Sequence, residues 1–101
     1  MKKYYVYILK CEKWKYNRAF KEFVFDRIVY YTGFTDDPKR RLHEHRNGIR
    51  SAWMMRNNVK PLSISYLEVF DNSKLAKIRK KQIKQMSRNQ KLNLIENYLK
   101  L

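Results

Sequence analysis

Hydrophobic and polar positions along this chain sort into three strand-like stretches and several helical ones. Tyr4 to Leu9 (Tyr-Tyr-Val-Tyr-Ile-Leu) is aromatic and β-branched, the composition of a pleated, half-buried strand. Phe23 to Phe34 is a second β-rich stretch, interrupted by Asp26-Arg27. Between them, Lys10 to Glu22 mixes basic and aromatic residues without a clear period. The two runs therefore predict an antiparallel hairpin with an elaborated connection at about 10–29, into which the strands can extend. Pro61 to Phe70 alternates Leu62, Ile64 and Tyr66 with Ser63 and Ser65, which predicts a third strand.

Turn and cap residues divide the remainder. Asp36-Asp37-Pro38 starts a helix, because an Asp side chain accepts the orphan amides and proline suits the first helical position. That helix runs to about Arg46 and ends at Asn47-Gly48. Ile49 to Lys60, with Trp53, Met54 and Met55, reads as a short helix or a loop. Asp71-Asn72-Ser73 caps a helix from about Lys74 to Met86. Ser87-Arg88-Asn89 breaks it, and an amphipathic helix follows from about Gln90 to Leu99. The expected architecture is α+β: a single domain over residues 1–101, with a three-stranded antiparallel sheet flanked by helices.

Charge narrows the partner. The chain has 24 Lys and Arg against 9 Asp and Glu, a formal net charge of +15. Self-repulsion at that charge costs stability, so a polyanionic partner is expected, and phosphate neutralisation makes nucleic acid the favoured one. A membrane is not expected as partner. No run approaches the roughly 20 apolar residues of a span, and no apolar signal core follows Met1-Lys2-Lys3. The one cysteine, Cys11, has no internal disulfide partner and is expected to be a half-buried strand residue, which suggests a reducing, cytoplasmic setting.

Candidate chemistry lies in two places. Residues 72–95 hold eight cations (Lys74, Lys77, Arg79, Lys80, Lys81, Lys84, Arg88, Lys91) and no acid. Without carboxylates for i,i+4 pairing, such a face calls for an external counter-charge, here phosphate; the bland alternative is a solvated helix surface. The first helix carries Lys39, Arg40, Arg41, His43 and His45. Arg41 and His45 are four residues apart and share a face. His43 and His45 point to different sides and do not make a zinc pair.

Taken together these elements resemble the GIY-YIG endonuclease superfamily, and in particular its small stand-alone members. Tyr5-Val6-Tyr7 stands where that family has Gly-Ile-Tyr, and Tyr31-Thr32-Gly33 where it has Tyr-Ile-Gly. The resemblance implies catalytic roles for Tyr7 and Tyr31 (water activation), Arg41 (phosphate clamp) and His45. Charge alone makes Lys39, Arg40, Lys77, Lys80, Lys81, Lys84 and Arg88 the expected nucleic-acid contacts, and DNA is expected rather than RNA as the partner. The resemblance also implies a single divalent metal, Mg²⁺ or Mn²⁺, held by a glutamate just before the segment matching Lys81-Gln82-Ile83-Lys84. That place is occupied by Lys80, whose ammonium cannot ligate a metal that takes oxygen donors. Three readings follow. The first is a nucleic-acid-binding protein of nuclease ancestry with cleavage weak or absent. The second is an active metal-dependent DNA endonuclease using another ligand. The third is a small basic RNA-binding or assembly protein. A metal-free reaction in which Lys80 neutralises developing charge is a variant of the second.

Overall fold

The computed structural model describes residues 2–48 and 52–99. Two 14-residue strands, β1 (Tyr4–Asn17) and β2 (Glu22–Thr35), form one long hairpin. The elaborated connection expected at 10–29 is thus almost entirely strand, turning over Arg18–Lys21. There the Phe20 amide donates to the Asn17 side-chain oxygen at 3.1 Å and Lys21 adopts a positive φ of 53°. Strand β3 (Val59–Phe70) pairs with β1 on its other side, giving the antiparallel order β2-β1-β3.

Helices cover both faces of this sheet. One core joins Val6 and Ile8 of β1 and Tyr66 of β3 to Ala76, Ile83 and Ile95 from α3 (Ser73–Lys84) and α4 (Arg88–Leu99). The opposite core joins Tyr7, Leu9, Cys11 and Val59 to Met54 of α2 (Ala52–Arg56), with Leu42 of α1 (Pro38–Arg46) packed against it. Cys11 is fully buried rather than half-buried, and burial pushes its thiol up to about 12, so it is inert packing.

The helix signals correspond to real caps. Asp37 is the N-cap of α1, accepting from the Arg40 amide at 3.1 Å, with Pro38 in first position. Asn72 caps α3. Ser87 and Gln90 satisfy each other's amides, so α4 starts at Arg88 rather than after the predicted break. Residues 49–51 of the uncertain segment lie outside the described residues.

The third strand departs from simple alternation. Its register on β1 shifts between Ile8 and Leu9 and again between Lys10 and Cys11. An extra residue at each shift is a β-bulge, which turns the following side chain to the other face. Hence Tyr66 packs in the α3/α4 core, while Ile64, two residues away, packs in the α1/α2 core.

Candidate nucleic-acid interface

Tyr7, Tyr31, Arg41 and His45 converge on the α1/α2 side of the sheet. Register places Tyr7 opposite Gly33 and Leu9 opposite Tyr31, so both tyrosines project from one face, their rings 6.4 Å apart. The end of the Tyr7 ring lies directly over Gly33: a β-carbon there would run into the ring and its hydroxyl. The glycine is required for space and not for an unusual backbone angle.

Helical spacing puts His45 one turn beyond Arg41, with its imidazole buried under the tyrosines. Its Nε2 is 3.4 Å from the Tyr7 hydroxyl, and its ring meets Tyr31 edge-on at 5.9 Å. Burial first, and the Arg41 charge second, hold its pKa below the usual value, so the ring is neutral near pH 7. Burial, with the neighbouring Tyr31, raises Tyr7 to about 12, and the Arg41 guanidinium pulls the other way. At neutral pH Tyr7 is therefore a phenol that can orient or hydrogen-bond a phosphate oxygen or water, not a free base.

Three cations of α3 and α4 reach rings of β2, an edge strand of the sheet. Lys77 sits over the Phe34 ring (5.7 Å to the centroid), Lys84 over Tyr31 (6.0 Å) and Arg88 over Tyr30 (5.6 Å). Arg88 also donates from Nη1 to the Ile28 carbonyl at 3.0 Å. Lys80 is three residues from Lys77 and four from Lys84, on the same helix face, and is half-buried. Burial, then Lys84 and Lys77, push its pKa down. This edge opens into a cleft of about 360 Å³ lined by Tyr30, Tyr31, Thr32, Trp53, Lys84 and Lys91. A separate hollow of about 440 Å³ includes Phe34, Asp36, Arg40, Arg41 and Glu44.

Not every candidate joins this edge. Lys39 lines a separate depression with Tyr5 and Ile64, and Lys81 is exposed. Arg40 is held by Asp36 at 2.7 Å and Glu44 at 3.5 Å. Two neighbours escaped the sequence reading as site residues. Glu44 approaches Arg41 at 3.8 Å, a contact its i+3 spacing could have signalled. Trp53 lies 5.9 Å from the Tyr31 ring, a contact only tertiary packing reveals.

Among the described residues no cluster of three His, Cys, Asp or Glu could hold a metal ion. Asp36 and Glu44 are engaged by cations, and Glu68 is taken by the Tyr66 hydroxyl at 2.5 Å and by Arg79 at 3.0 Å. Lys80, between Lys77 and Lys84 on α3, contributes an ammonium and no oxygen donor.

Comparison with known proteins gives a consistent picture. The family model described as "GIY-YIG catalytic domain" matches residues 3–93. A UPF0213 protein of Clostridium perfringens is 34% identical over 92% of this chain and 83% of its own length. One of Syntrophus aciditrophicus is 35% identical over 95% of this chain and 93% of its own. One of Staphylococcus saprophyticus is 32% identical, covering 94% and 96%. No solved structure matches. Among the described residues no helix is long and apolar enough to cross a membrane.

Proposed function

The chain belongs to the GIY-YIG family, and from that premise we propose that it binds the nucleic-acid backbone along the β2 edge without efficient metal-dependent cleavage. The observation that carries this reading is the row of cations over aromatic rings: Lys77 on Phe34, Lys84 on Tyr31, Arg88 on Tyr30. The ring faces steer the cationic heads along the strand edge, and residues 72–95 contain no acid to neutralise them. A phosphodiester backbone supplies that counter-charge. DNA is the expected form, in keeping with the nuclease family.

In this reading Arg41 clamps one phosphate, while Tyr7, oriented against neutral His45, and Tyr31 contact its oxygens. Lys77, Lys80, Lys84 and Arg88 hold the flanking phosphates. Lys80 is the reason cleavage is weak or absent. A divalent ion supplies charge stabilisation worth several kcal/mol at a leaving oxygen, and an ammonium at this position repels the ion instead of ligating it. The intact cluster of Tyr7, Tyr31, Arg41 and His45 favours a second reading, an active divalent-metal endonuclease whose ligand comes from elsewhere.

Affinity for duplex DNA is expected to fall steeply with salt, the log–log slope being about −0.9 per phosphate neutralised. Replacing Lys77, Lys84 and Arg88 together by alanine should make that slope shallower by roughly 2–3. An unchanged slope in the triple variant would remove the β2 edge from the interface, and a flat slope in the wild type would remove nucleic acid altogether. RNA titrated in parallel tests the preference for DNA.

A further inference from the structure

Beyond Lys13, β1 pairs among the described residues with β2 alone, and the hairpin continues as a two-stranded arm in a molecule 52 Å long and 28 and 22 Å across. A free two-stranded ribbon is marginal in water. This one is held by cross-strand aromatic pairs: Trp14 against Phe25 (6.0 Å) and Tyr16 against Phe23 (5.5 Å), both edge-to-face. The pairing puts all four rings on one face. Structural need does not explain their exposure, since Tyr16, Phe23 and Phe25 remain 53, 52 and 49% exposed and Phe20 at the tip 71%. A solvated arm would ordinarily carry polar residues there.

Arg18 and Lys21 lie at the turn beside the rings, while Lys13, Lys15 and Arg27 alternate to the opposite face of the ribbon; the segment's two acids are Glu22 and Asp26, and Asp26 lies 3.5 Å from Arg27. Lys60 places its ammonium 5.1 Å from the Trp14 ring centre. With Asn58, Phe23 and Trp14 it lines a hollow of about 250 Å³. The buried Trp14 Nε1 has no hydrogen-bond partner among the described residues. Alternation along β1 puts Trp14 and Tyr16 on the same sheet face as Ile8, the side covered by α3 and α4. Arg88, over Tyr30 and bonded to Ile28, therefore stands between the basic edge and the arm.

We propose that this aromatic face of the hairpin arm is a stacking platform for the unpaired bases of a single-stranded stretch of nucleic acid leaving the β2 edge. Exposed rings, with Lys60 beside Trp14 and Arg18 and Lys21 at the turn, provide what such a strand needs, π-faces for its bases and positive charge for its phosphates, without sequence readout. A second copy of this chain is a poorer occupant, because its own +15 charge repels it. The proposal rests on the nucleic-acid reading of the β2 edge and adds to it the single-stranded component and where it docks.

The test compares wild type with the Tyr16→Thr/Phe20→Ser/Phe23→Thr variant, which removes three exposed rings outside both cores while a threonine pair keeps the strand pairing, and circular dichroism checks that strand content is unchanged. Fluorescence anisotropy is measured with a labelled oligothymidylate and with a blunt duplex. The variant is expected to lose ~100-fold or more in affinity for the single strand, and less than about threefold for the duplex, because no charge has been removed. Unchanged single-strand binding, or equal losses on both probes, overturns the arm proposal while leaving the β2 edge untouched. If wild type binds neither probe, the nucleic-acid reading fails and the arm proposal with it. A wild-type dimer that the variant converts to monomer, seen by sedimentation, would also overturn it, making the arm a self-association surface.

Discussion

Gly33→Ala is expected to lower the melting temperature by roughly 10–20 °C, corresponding to about 2–3 kcal/mol. The new methyl would occupy the place of the Tyr7 ring end, which cannot swing aside cheaply. Tyr7 is only 2% exposed and is enclosed by Tyr31 and His45. The displaced hydroxyl would also lose its position against His45, so duplex affinity should weaken along with stability. A double-mutant cycle isolates the cause. In a Tyr7→Ala background the Gly33→Ala step should be neutral to stabilising, because alanine is otherwise the better strand residue by roughly 0.5–1 kcal/mol. Equal destabilisation in both backgrounds would show that the glycine serves something other than the tyrosine ring.

The second large effect is a gain. Lys80→Glu should raise Mg²⁺- or Mn²⁺-dependent nicking of supercoiled plasmid by about 100-fold or more, since several kcal/mol of metal stabilisation becomes available at tenfold per ~1.4 kcal/mol. Magnesium commonly binds through one or two carboxylates plus substrate phosphates and water, so a single restored carboxylate is enough in principle. The change also relieves an ammonium whose pKa is lowered by burial and by its neighbours Lys84 and Lys77, so folding should not suffer. Lys80→Gln is the control: it removes the charge without supplying a ligand, and nicking should stay at the wild-type level. If glutamine and glutamate act alike, repulsion at position 80, and not a missing ligand, is what limits the reaction.

How much of this was legible depended on whether a residue's environment is set locally. The caps at Asp37 and Asn72 could be read because an N-cap bonds to its own first turn. Arg41 and His45 could be placed on one face by helical spacing alone. The long arm could not be read from periodicity, because a ribbon beyond the helices has no buried face to enforce alternation, and the register shift between Lys13 and Trp14 further disturbs it. The split of Ile64 and Tyr66 between two cores arises from bulges that leave no composition signal. That Tyr7 and Tyr31 share a face is a matter of strand register, anticipated here only through the family resemblance. The basic run was visible as charge. Its alignment over Phe34, Tyr31 and Tyr30 emerges only when α3 and the start of α4 dock beside β2.

The central claim is a phosphate-binding cleft of nuclease form in which the metal-ligand position is an ammonium. Its most direct test is plasmid nicking by the wild-type protein with Mg²⁺ or Mn²⁺, beside Arg41→Ala and at protein concentrations that saturate the duplex. The account predicts salt-sensitive binding with no nicking that depends on both the metal and Arg41. Nicking that requires the metal and disappears in Arg41→Ala would contradict it.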